Sequence, residues 1–281
     1  MTRTLVRIAR TIYKATPVPV LRHFYFTAFC RVMRNRRVRA TIRGSIFELD
    51  LGEMIDVALY LEQYELEVSA ALGRHSVPGM TVLDIGANIG AHTLALARRV
   101  TPAGAVYAFE PTDFAFEKLT RNVSLNDVPQ IRAIKVALSD HNAERQEIAY
   151  RSSWRTSGGR NDQRTRVDFV RLDDWCARNG VSHVGLIKID IDGNEFPALA
   201  GGMQLIERSR PVIVMEAVWP HFEDGRRNPF LLLQRIGYRF WDAKSDHEYT
   251  SVADMAMLFP EGDRGMTTSI NVIATPSKDE A

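Results

Sequence analysis

The chain has 281 residues, 45% of them hydrophobic, and a formal net charge of +2, so it can bury one sizeable core. Its two cysteines, Cys30 and Cys176, lie far apart without metal-ligand neighbours, which argues against a disulfide framework or a zinc site and fits a reducing compartment. No apolar run reaches about eighteen residues, and the stretch 18–30 lacks a signal-peptide cleavage site, so we expect a cytoplasmic location.

The first 47 residues differ in charge from the rest of the chain. Residues 1–47 hold eleven Lys or Arg and no acid, whereas residues 48–281 hold 25 basic and 34 acidic residues. Arg3, Arg7 and Arg10 recur at helical spacing, which predicts a basic amphipathic helix. This helix could contact an anionic membrane peripherally, at its inner face, or could pack against the acidic remainder of the chain.

Strand and helix patterns alternate from residue 41 onward. Predicted strands are 41–50, 81–85, 105–109, 131–136, 146–150, 167–172, 185–190, 211–217, 237–241 and 269–274; predicted helices are 53–75, 90–100, 113–126, a short one from Asp173, 194–208 and 227–236. This alternation predicts an α/β fold with a doubly wound, mostly parallel, Rossmann-like sheet. The ligand of such a sheet binds at the carboxyl ends of its strands. Four acids fall at predicted strand ends: Asp84, Glu110, Asp140 and Asp190.

Residues 82–90 read V-L-D-I-G-A-N-I-G, a short apolar strand followed by a turn at Gly86 and Gly90 onto a helix. Glu110 ends the next strand, where a carboxylate can accept both hydroxyls of a ribose. The two glycines lack the dinucleotide spacing, and Asp84 would repel a pyrophosphate but attract a cation. The motif therefore favours S-adenosylmethionine, whose adenosine carries a sulfonium and an ammonium group without phosphate, over NAD or FAD.

The string A-L-S-D, from Ala137 to Asp140, follows the predicted strand 131–136. If this strand end borders the same crevice, backbone groups and the carboxylate there could contact an adenine ring. An ordinary Ser-Asp turn would produce the same string.

The string K-I-D-I-D-G-N-E, residues 188–195, places Asp190 at the end of another buried strand. An acid in that position must be solvated or partnered. A hydroxyl acceptor loses its proton as it is methylated, so Asp190 is the candidate catalytic residue, as a base or an orienting group. Glu195 opens the next helix and could simply interact with the helix dipole.

Two alternatives remain open at this strand end. Asp190, Asp192 and Glu216 could together bind a divalent ion, but carboxylates at strand ends are common, so no metal site is assigned and dependence on a divalent metal stays undecided. His221 and His247, predicted in loops after later strands, are alternative bases.

Residues 151–166 contain five arginines, Trp154 and a Gly-Gly pair. The segment could cover the acceptor, with Trp154 stacked on a sugar face, or it could be a solvated hairpin tip. Nucleic acid is not expected as a partner, because the basic residues are not interleaved with several aromatic residues and the remainder of the chain is acidic.

These motifs resemble those of the FkbM family of S-adenosylmethionine-dependent methyltransferases. The likeness covers most of the chain, from Tyr64-Glu65 through the glycine turn, V-Y-A-F-E-P, A-L-S-D, V-R-L-D-D at 170–174 and K-I-D-I-D-G-N-E. It implies a seven-stranded sheet and transfer of a methyl group, most often to a hydroxyl of a sugar or polyketide. The residues expected to bind the cofactor are Glu65, Asp84, Gly86, Asn88, Gly90, Glu110, Ala137 and Asp140, with Asp190 on the fourth motif. The chain departs from the family at Asp192, where glutamate is frequent.

We therefore expect residues 1–48 to form a basic N-terminal extension and residues 49–281 to form a methyltransferase domain. The expected reaction is O-methylation of a hydroxyl on a sugar, glycan or glycolipid precursor, so the expected partner is a small-molecule or glycan acceptor. A methyltransferase-like module that binds the cofactor without turnover is one alternative, although the intact acids argue against it. A nicotinamide-dependent oxidoreductase is another, which Asp84 and the glycine spacing disfavour.

Overall fold

The computed structural model describes residues 36–151, 162–260 and 268–277, together with residues 11, 26, 28–33 and 262. The predicted basic helix near the N-terminus and Trp154 in the predicted cover segment lie outside the described residues. Within the described ranges, no helix has both the length and the apolar character needed to cross a membrane.

The elements follow one another in an order close to the predicted one. The strands are β1 (Arg37–Ile42), β2 (Ser45–Asp50), β3 (Thr81–Ile85), β4 (Ala105–Phe109), β5 (Ile131–Ile134), β6 (Ala137–Ser139), β7 (Ala143–Arg151), β8 (Asp162–Arg171), β9 (Leu186–Ile189), β10 (Val212–Val218), β11 (Tyr238–Asp242), β12 (Glu248–Tyr249) and β13 (Ser269–Pro276). The helices are α1 (Met54–Tyr60), α2 (Leu66–His75), α3 (Ala91–Val100), α4 (Asp113–Ser124), α5 (Leu172–Asn179), α6 (Glu195–Ala200), α7 (Met203–Ser209), α8 (Pro220–Glu223), α9 (Pro229–Gln234) and α10 (Val252–Ala256).

The central sheet confirms the predicted α/β, mostly parallel architecture. Its eight strands are ordered β12-β11-β13-β10-β9-β3-β4-β5, and the run from β10 to β5 is parallel throughout. The eighth strand is the two-residue β12 at one edge, so the expected seven strands are present with a short addition. Strand order reverses between β3 and β9, which makes the crevice at their carboxyl ends the expected ligand position.

The segment from Ala137 to Asp140 departs from the predicted path. The strand predicted at 131–136 ends at Ile134, and β6 joins a second sheet, ordered β6-β8-β7, by pairing in parallel with β8. A Cβ placed on Gly201 would lie 1.9 Å from the Ser139 carbonyl oxygen, so β6 is packed against the junction of α6 and α7. Asp140 therefore follows a strand of the second sheet and does not end a strand of the central sheet.

Residues 36–80, which precede β3, fold as a hairpin and two helices. The predicted strand 41–50 is the antiparallel hairpin β1–β2, which turns at Arg43 and Gly44 and runs across residue 48. The helix predicted at 53–75 is divided into α1 and α2, because Glu62 and Glu65 adopt left-handed conformations with φ of +58° and +38°.

Apolar side chains cover both faces of the central sheet. Val82 in β3 packs with the hairpin, α2 and α3, whereas Leu83 packs on the opposite face with α5, α6, α7 and α9. Neighbouring residues of a strand point to opposite faces, so a strand buried on both faces reads as a continuous apolar run. The acids at the strand ends then lie where these two apolar layers stop.

Candidate active site

The glycine turn is held against the end of β9. Gly86 and Gly90 have φ of +78° and +87°, and Asn88 also has a positive φ, of +48°. A Cβ on Gly86 would lie 1.9 Å from the Asp190 carbonyl oxygen. Gly86 is therefore needed so that the backbone after β9 can approach the turn. The sequence argument explained this glycine only by the approach of a ligand.

Asp84 is fully buried in β3. Its Oδ2 accepts a hydrogen bond from the Thr93 hydroxyl at 2.6 Å, and its Oδ1 lies 3.6 Å from the Lys188 ammonium. Among the described residues, Oδ1 has no hydrogen-bond donor. A buried carboxylate oxygen without a donor is costly, so the Lys188 ammonium 3.6 Å away is the charge that stabilises it.

Lys188 supplies a buried cation. Its Nζ donates a hydrogen bond to the Gly86 carbonyl at 2.8 Å and lies 3.6 Å from one oxygen each of Asp84 and Asp190. Burial favours the neutral amine, but neighbouring carboxylates raise the pKa of Lys188 above its ordinary value. In decreasing order of effect, these carboxylates are Asp190, Asp84, Glu65 and Glu110.

Glu110 follows β4 and is 6% exposed. One carboxylate oxygen accepts the Asn88 amide at 3.0 Å, and the other accepts the Thr112 amide at 2.9 Å and the Thr112 hydroxyl at 2.6 Å. Burial raises the pKa of Glu110, although these hydrogen bonds oppose the rise. A carboxylate has about four acceptor positions, so the three bonds fix its orientation and leave capacity for a ligand hydroxyl.

Glu65 precedes α2, in the part of the chain before β3, and its side chain reaches the same region. Its Oε2 lies 2.7 Å from His92 Nε2, and the His92 ring packs against Tyr64 with the ring centroids 5.5 Å apart. Burial opposes ionisation, but the hydrogen bond with His92 and the electrostatic effects of His92 and Lys188 lower the pKa of Glu65. Glu65 is thus a stable carboxylate beside the glycine turn.

Asp190 occupies the end of β9, with its side chain 28% exposed. Burial raises the pKa of Asp190 to about 6; the Lys188 charge opposes the rise, whereas Glu65, Asp192 and Glu195 add to it. On the adjacent strand, burial raises the pKa of Glu216 to about 8, and Asp190 contributes to this effect. Asp190 and Glu216, which lose their protons at different pH values, therefore lie beside each other at the open end of the site.

Glu195 and His221 form a buried pair next to Asp190. Glu195 is fully buried, His221 is 2% exposed, and Glu195 Oε2 lies 2.6 Å from His221 Nε2. The other oxygen of Glu195 accepts the Ile191 amide at 2.8 Å. The sequence suggested that Glu195 interacts only with the dipole of its own helix and that His221 lies in a loop. His221 is instead on α8, and its two ring nitrogens are hydrogen-bonded to the Val218 amide and to Glu195.

The remaining candidates lie on other elements of the fold. Asp140 is half exposed and bonded to His141 at 2.9 Å, and this hydrogen bond lowers its pKa despite the opposing effect of burial. Ala137 lies in β6, and His247 is exposed near β12. In the parts of the chain that the structure describes, no three His, Cys, Asp or Glu side chains are arranged to hold a metal ion.

Sequence reasoning did not identify Lys188 as part of the site, and it named His221 only as an alternative base in a loop, without its partner Glu195. For Lys188 a signal existed, because a lysine inside the apolar run L-I-K-I must be neutralised by acids when the strand is buried. For the pairing of His221 with Glu195 no local signal existed, since Glu195 lies 26 residues earlier and meets His221 only in the folded chain.

Comparison with known proteins identifies the family. Residues 84–252, more than half of the chain, match the methyltransferase FkbM domain. The chain belongs to the FkbM methyltransferase family. The part of the chain that matches the FkbM domain contains Asp84, Glu110, Lys188 and Asp190, whereas Glu65 precedes it.

Two curated relatives are similar over part of the chain. The 2-O-methyltransferase NoeI of Sinorhizobium fredii (strain NBRC 101917 / NGR234) is 30% identical over 158 residues, which are 47% of this chain and 61% of NoeI. The 31-O-demethyl-FK506 methyltransferase FkbM of Streptomyces tacrolimicus is 28% identical over 231 residues, which are 66% of this chain and 80% of that protein. The aligned part thus spans less than two thirds of NoeI.

Solved structures of methyltransferases are similar at lower identity. The methyltransferase FkbM from Methylobacillus flagellatus KT is 16% identical, with a TM-score of 0.42, over 78% of this chain and 54% of that chain. M. jannaschii TYW2 in complex with AdoMet is 13% identical, with a TM-score of 0.44, over 85% and 84% of the two chains. The family assignment depends on the FkbM domain match and not on these likenesses.

Proposed function

We propose that this protein is an S-adenosylmethionine-dependent methyltransferase that methylates a hydroxyl group on a sugar, glycan or glycolipid precursor. The observation that carries the proposal is the convergence of four carboxylates on the buried ammonium of Lys188. Three of them lie at the ends of β3, β4 and β9, and the fourth precedes α2. The carboxylates are Glu65, Asp84, Glu110 and Asp190.

The charges of this cluster fit the proposed cofactor. Four carboxylates against one ammonium leave a negative site, which attracts a sulfonium and an ammonium group and repels a pyrophosphate. Bound S-adenosylmethionine supplies an electrophilic methyl group on a positively charged sulfur. Glu110 would accept ribose hydroxyls, and the buried charge of Asp84 would add to the attraction for the cationic end of the cofactor.

Asp190 is the residue we assign to the acceptor. Its side chain is about as exposed as that of Glu65 and more exposed than those of Asp84 and Glu110. Its pKa of about 6 leaves it ionised at neutral pH. A carboxylate in this state can orient an acceptor hydroxyl and take its proton as the new carbon–oxygen bond forms. The buried Lys188 ammonium would keep this carboxylate in position.

The relatives support oxygen as the methylated atom. NoeI is named as a 2-O-methyltransferase, and the Streptomyces relative is named as a methyltransferase of 31-O-demethyl-FK506. Both names specify an oxygen, which agrees with a site in which Asp190 can accept the proton of a hydroxyl.

Calorimetric titration with S-adenosylmethionine, with NADH as the comparison ligand, tests the cofactor assignment. We expect saturable binding of S-adenosylmethionine alone. Glu110→Gln should weaken it roughly 10- to 100-fold, because charge-assisted hydrogen bonds contribute about 1.5–3 kcal/mol each. The exposed Glu117→Gln on α4 is the matched control. Preference for NADH, or equal affinity of the Glu110 variant and the parent, would overturn the assignment.

Transfer of a labelled methyl group to a panel of monosaccharides, glycosides and glycolipid extracts tests the reaction. Asp190→Asn should retain cofactor binding and lose at least about 100-fold of the transfer rate. If no member of the panel is methylated while the cofactor binds normally, a binding module without turnover becomes the better description.

A further inference from the structure

Glu195 and His221 are buried titratable groups that the reaction described above does not use. They lie at the carboxyl ends of β9 and β10, within the apolar layer that contains Phe230. The His221 and Phe230 rings meet edge to face with their centroids 6.0 Å apart. A buried charge in such surroundings persists only when its hydrogen bonds are complete, so the pair has a fixed arrangement.

The hydrogen-bond partners determine where the protons lie. The Val218 amide donates to His221 Nδ1 at 3.3 Å, so this nitrogen carries the lone pair. The ring proton is then on Nε2 and is donated to Glu195 Oε2 at 2.6 Å. The second oxygen of Glu195 accepts the Ile191 amide at 2.8 Å, which completes a chain of bonds from the end of β10 to the turn after β9.

The turn that receives this chain of bonds carries Asp190. The peptide unit between Asp190 and Ile191 has its amide on Glu195, and its carbonyl oxygen lies where a side chain on Gly86 would be. The following residues, Asp192 and Gly193, have positive φ of +53° and +89°. One peptide plane thus connects the buried pair, the cofactor turn and the Asp190 carboxylate.

We propose that Glu195 and His221 are positioning residues, which fix the Asp190–Ile191 peptide and thereby hold the Asp190 carboxylate in place. Neither residue needs to touch the cofactor or the acceptor. The inference rests on the proposed function in that Asp190 is taken to serve the acceptor, but the fixing of the peptide can be measured without any reaction.

The experiment compares His221→Leu, which removes the donor to Glu195, with His221→Gln, whose amide can still donate to it. The exposed His183→Leu is the matched control. Amide hydrogen exchange of Ile191 is followed, with the amide of Ile187 inside β9 as the internal reference. We expect exchange at Ile191 to rise at least tenfold in His221→Leu and to stay within threefold of the parent in His221→Gln and in the control.

Kinetics distinguish positioning from a general loss of structure. In His221→Leu, the transfer rate at saturation should fall at least tenfold while the dissociation constant for S-adenosylmethionine stays within threefold, and His221→Gln should recover most of the rate. Unchanged protection of Ile191 in His221→Leu, or failure of His221→Gln to recover protection, overturns the proposal. An absence of methyl transfer in the parent protein would instead reject the proposed function, and the exchange data would still decide the role of the pair.

If His221→Leu does not fold, Glu195→Gln replaces it. The amide of this variant can still accept from Ile191, but its NH2 group opposes the proton on His221 Nε2, so one of the two bonds must break. We expect faster exchange at Ile191 or at Val218 with the core of β9 still protected. Protection equal to that of the parent at both amides would contradict the proposal.

Discussion

Gly79 and Gly86 have nearly the same backbone conformation, with φ of +82° and +78°, but different surroundings. A Cβ on Gly79 would meet nothing within 4 Å, whereas one on Gly86 would lie 1.9 Å from the Asp190 carbonyl oxygen. The left-handed conformation costs a non-glycine residue about 1–2 kcal/mol at either position. Only at Gly86 is the cost of overlap with another segment added.

The two alanine variants therefore separate strain from overlap. Gly86→Ala should lower the free energy of unfolding by about 1–3 kcal/mol more than Gly79→Ala, because the turn and the Asp190 peptide must move apart. It should also weaken S-adenosylmethionine binding, which Gly79→Ala should leave unchanged. Urea denaturation and calorimetric titration of both variants measure these effects. Equal losses of stability in the two variants would show that the close approach is not a constraint.

The titration of Asp190 predicts the pH dependence of methyl transfer. Burial and the neighbouring acids raise the pKa of Asp190 to about 6, and the residue can accept a proton only when it is ionised. The transfer rate should thus be constant from about pH 7 upward on this account and fall about tenfold per pH unit below about pH 6. A pH profile of the parent and of Asp190→Asn checks this. A flat profile between pH 5 and 7 would assign proton transfer to another group.

At the residue scale, the sequence predicted the positions of three acids at the ends of central strands, but not that of Asp140 and not the partners of these acids. Asp84, Glu110 and Asp190 were identified because each follows an apolar strand, a local pattern. Lys188 and His221 depend on partners that other strands bring to them. Spacing along the chain contains no information about such contacts, so the partners of Lys188 and His221 could be assigned only from the folded structure.

At the scale of elements, Asn122 on α4 joins the hairpin to the glycine turn. Asn122 is fully buried; its Oδ1 accepts the Glu48 amide of β2 at 2.8 Å, and its Nδ2 donates to the Ile89 carbonyl at 2.9 Å. The hairpin, which crosses the predicted domain boundary, is thus bonded to the same helix as the motif at 82–90. The boundary at residue 48 itself stays a prediction.

Removing this link should destabilise the fold. Asn122→Ala leaves the Glu48 amide and the Ile89 carbonyl without partners, at about 1–3 kcal/mol each, so we expect a loss of about 2–5 kcal/mol in the free energy of unfolding. Thr120→Ala, exposed on the same helix, should change it by less than about 0.5 kcal/mol. Chemical denaturation of both variants is the measurement, and a similarly small loss for Asn122→Ala would mean that water replaces the side chain.

The predicted element boundaries were least accurate at the Gly201–Gly202 pair and where the chain passes from the central sheet to the second sheet. The helix predicted at 194–208 is interrupted at Gly201 and Gly202, since β6 approaches there and leaves no room for a Cβ on Gly201. The Gly-Gly pair was a visible signal, but its cause lies in β6, more than sixty residues earlier. Asp140 follows β6, whose place in the second sheet depends on its pairing with the distant strand β8. The position of Asp140 could therefore not be inferred from the predicted strand 131–136.

At the scale of the whole molecule, the alternation of strands and helices predicted the sheet, and the sheet brings the acids together. Parallel strands that enter one sheet place their carboxyl ends on one edge, so Asp84, Glu110 and Asp190 meet although more than a hundred residues separate the first from the last. The same convergence concentrates negative charge that burial makes costly. The acids of this region should consequently make the stability of the protein depend on pH.

Glu216 provides the test of that dependence. Burial first, and Asp190, Glu195 and Asp192 in addition, raise its pKa from 4.5 to about 8, while a hydrogen bond with Ser269 opposes the rise. Because the folded state holds this proton more tightly than the unfolded state, the folded protein loses stability as the pH rises from about 4.5 to about 8, and the full penalty is present above that range.

Glu216→Gln removes the ionisation but keeps the shape and the acceptor for Ser269. We expect the variant and the parent to unfold at similar denaturant concentrations at pH 5, and the variant to be more stable by a few kcal/mol at pH 9, since each unit of pKa shift corresponds to about 1.4 kcal/mol. The exposed Glu207→Gln, on α7, should follow the parent at both values. Urea denaturation at pH 5, 7 and 9 measures the difference. If the advantage of Glu216→Gln did not grow with pH, the acids at the ends of β9 and β10 would have to be separated by more solvent than the structure shows, and the charge argument for the cofactor site would weaken with it.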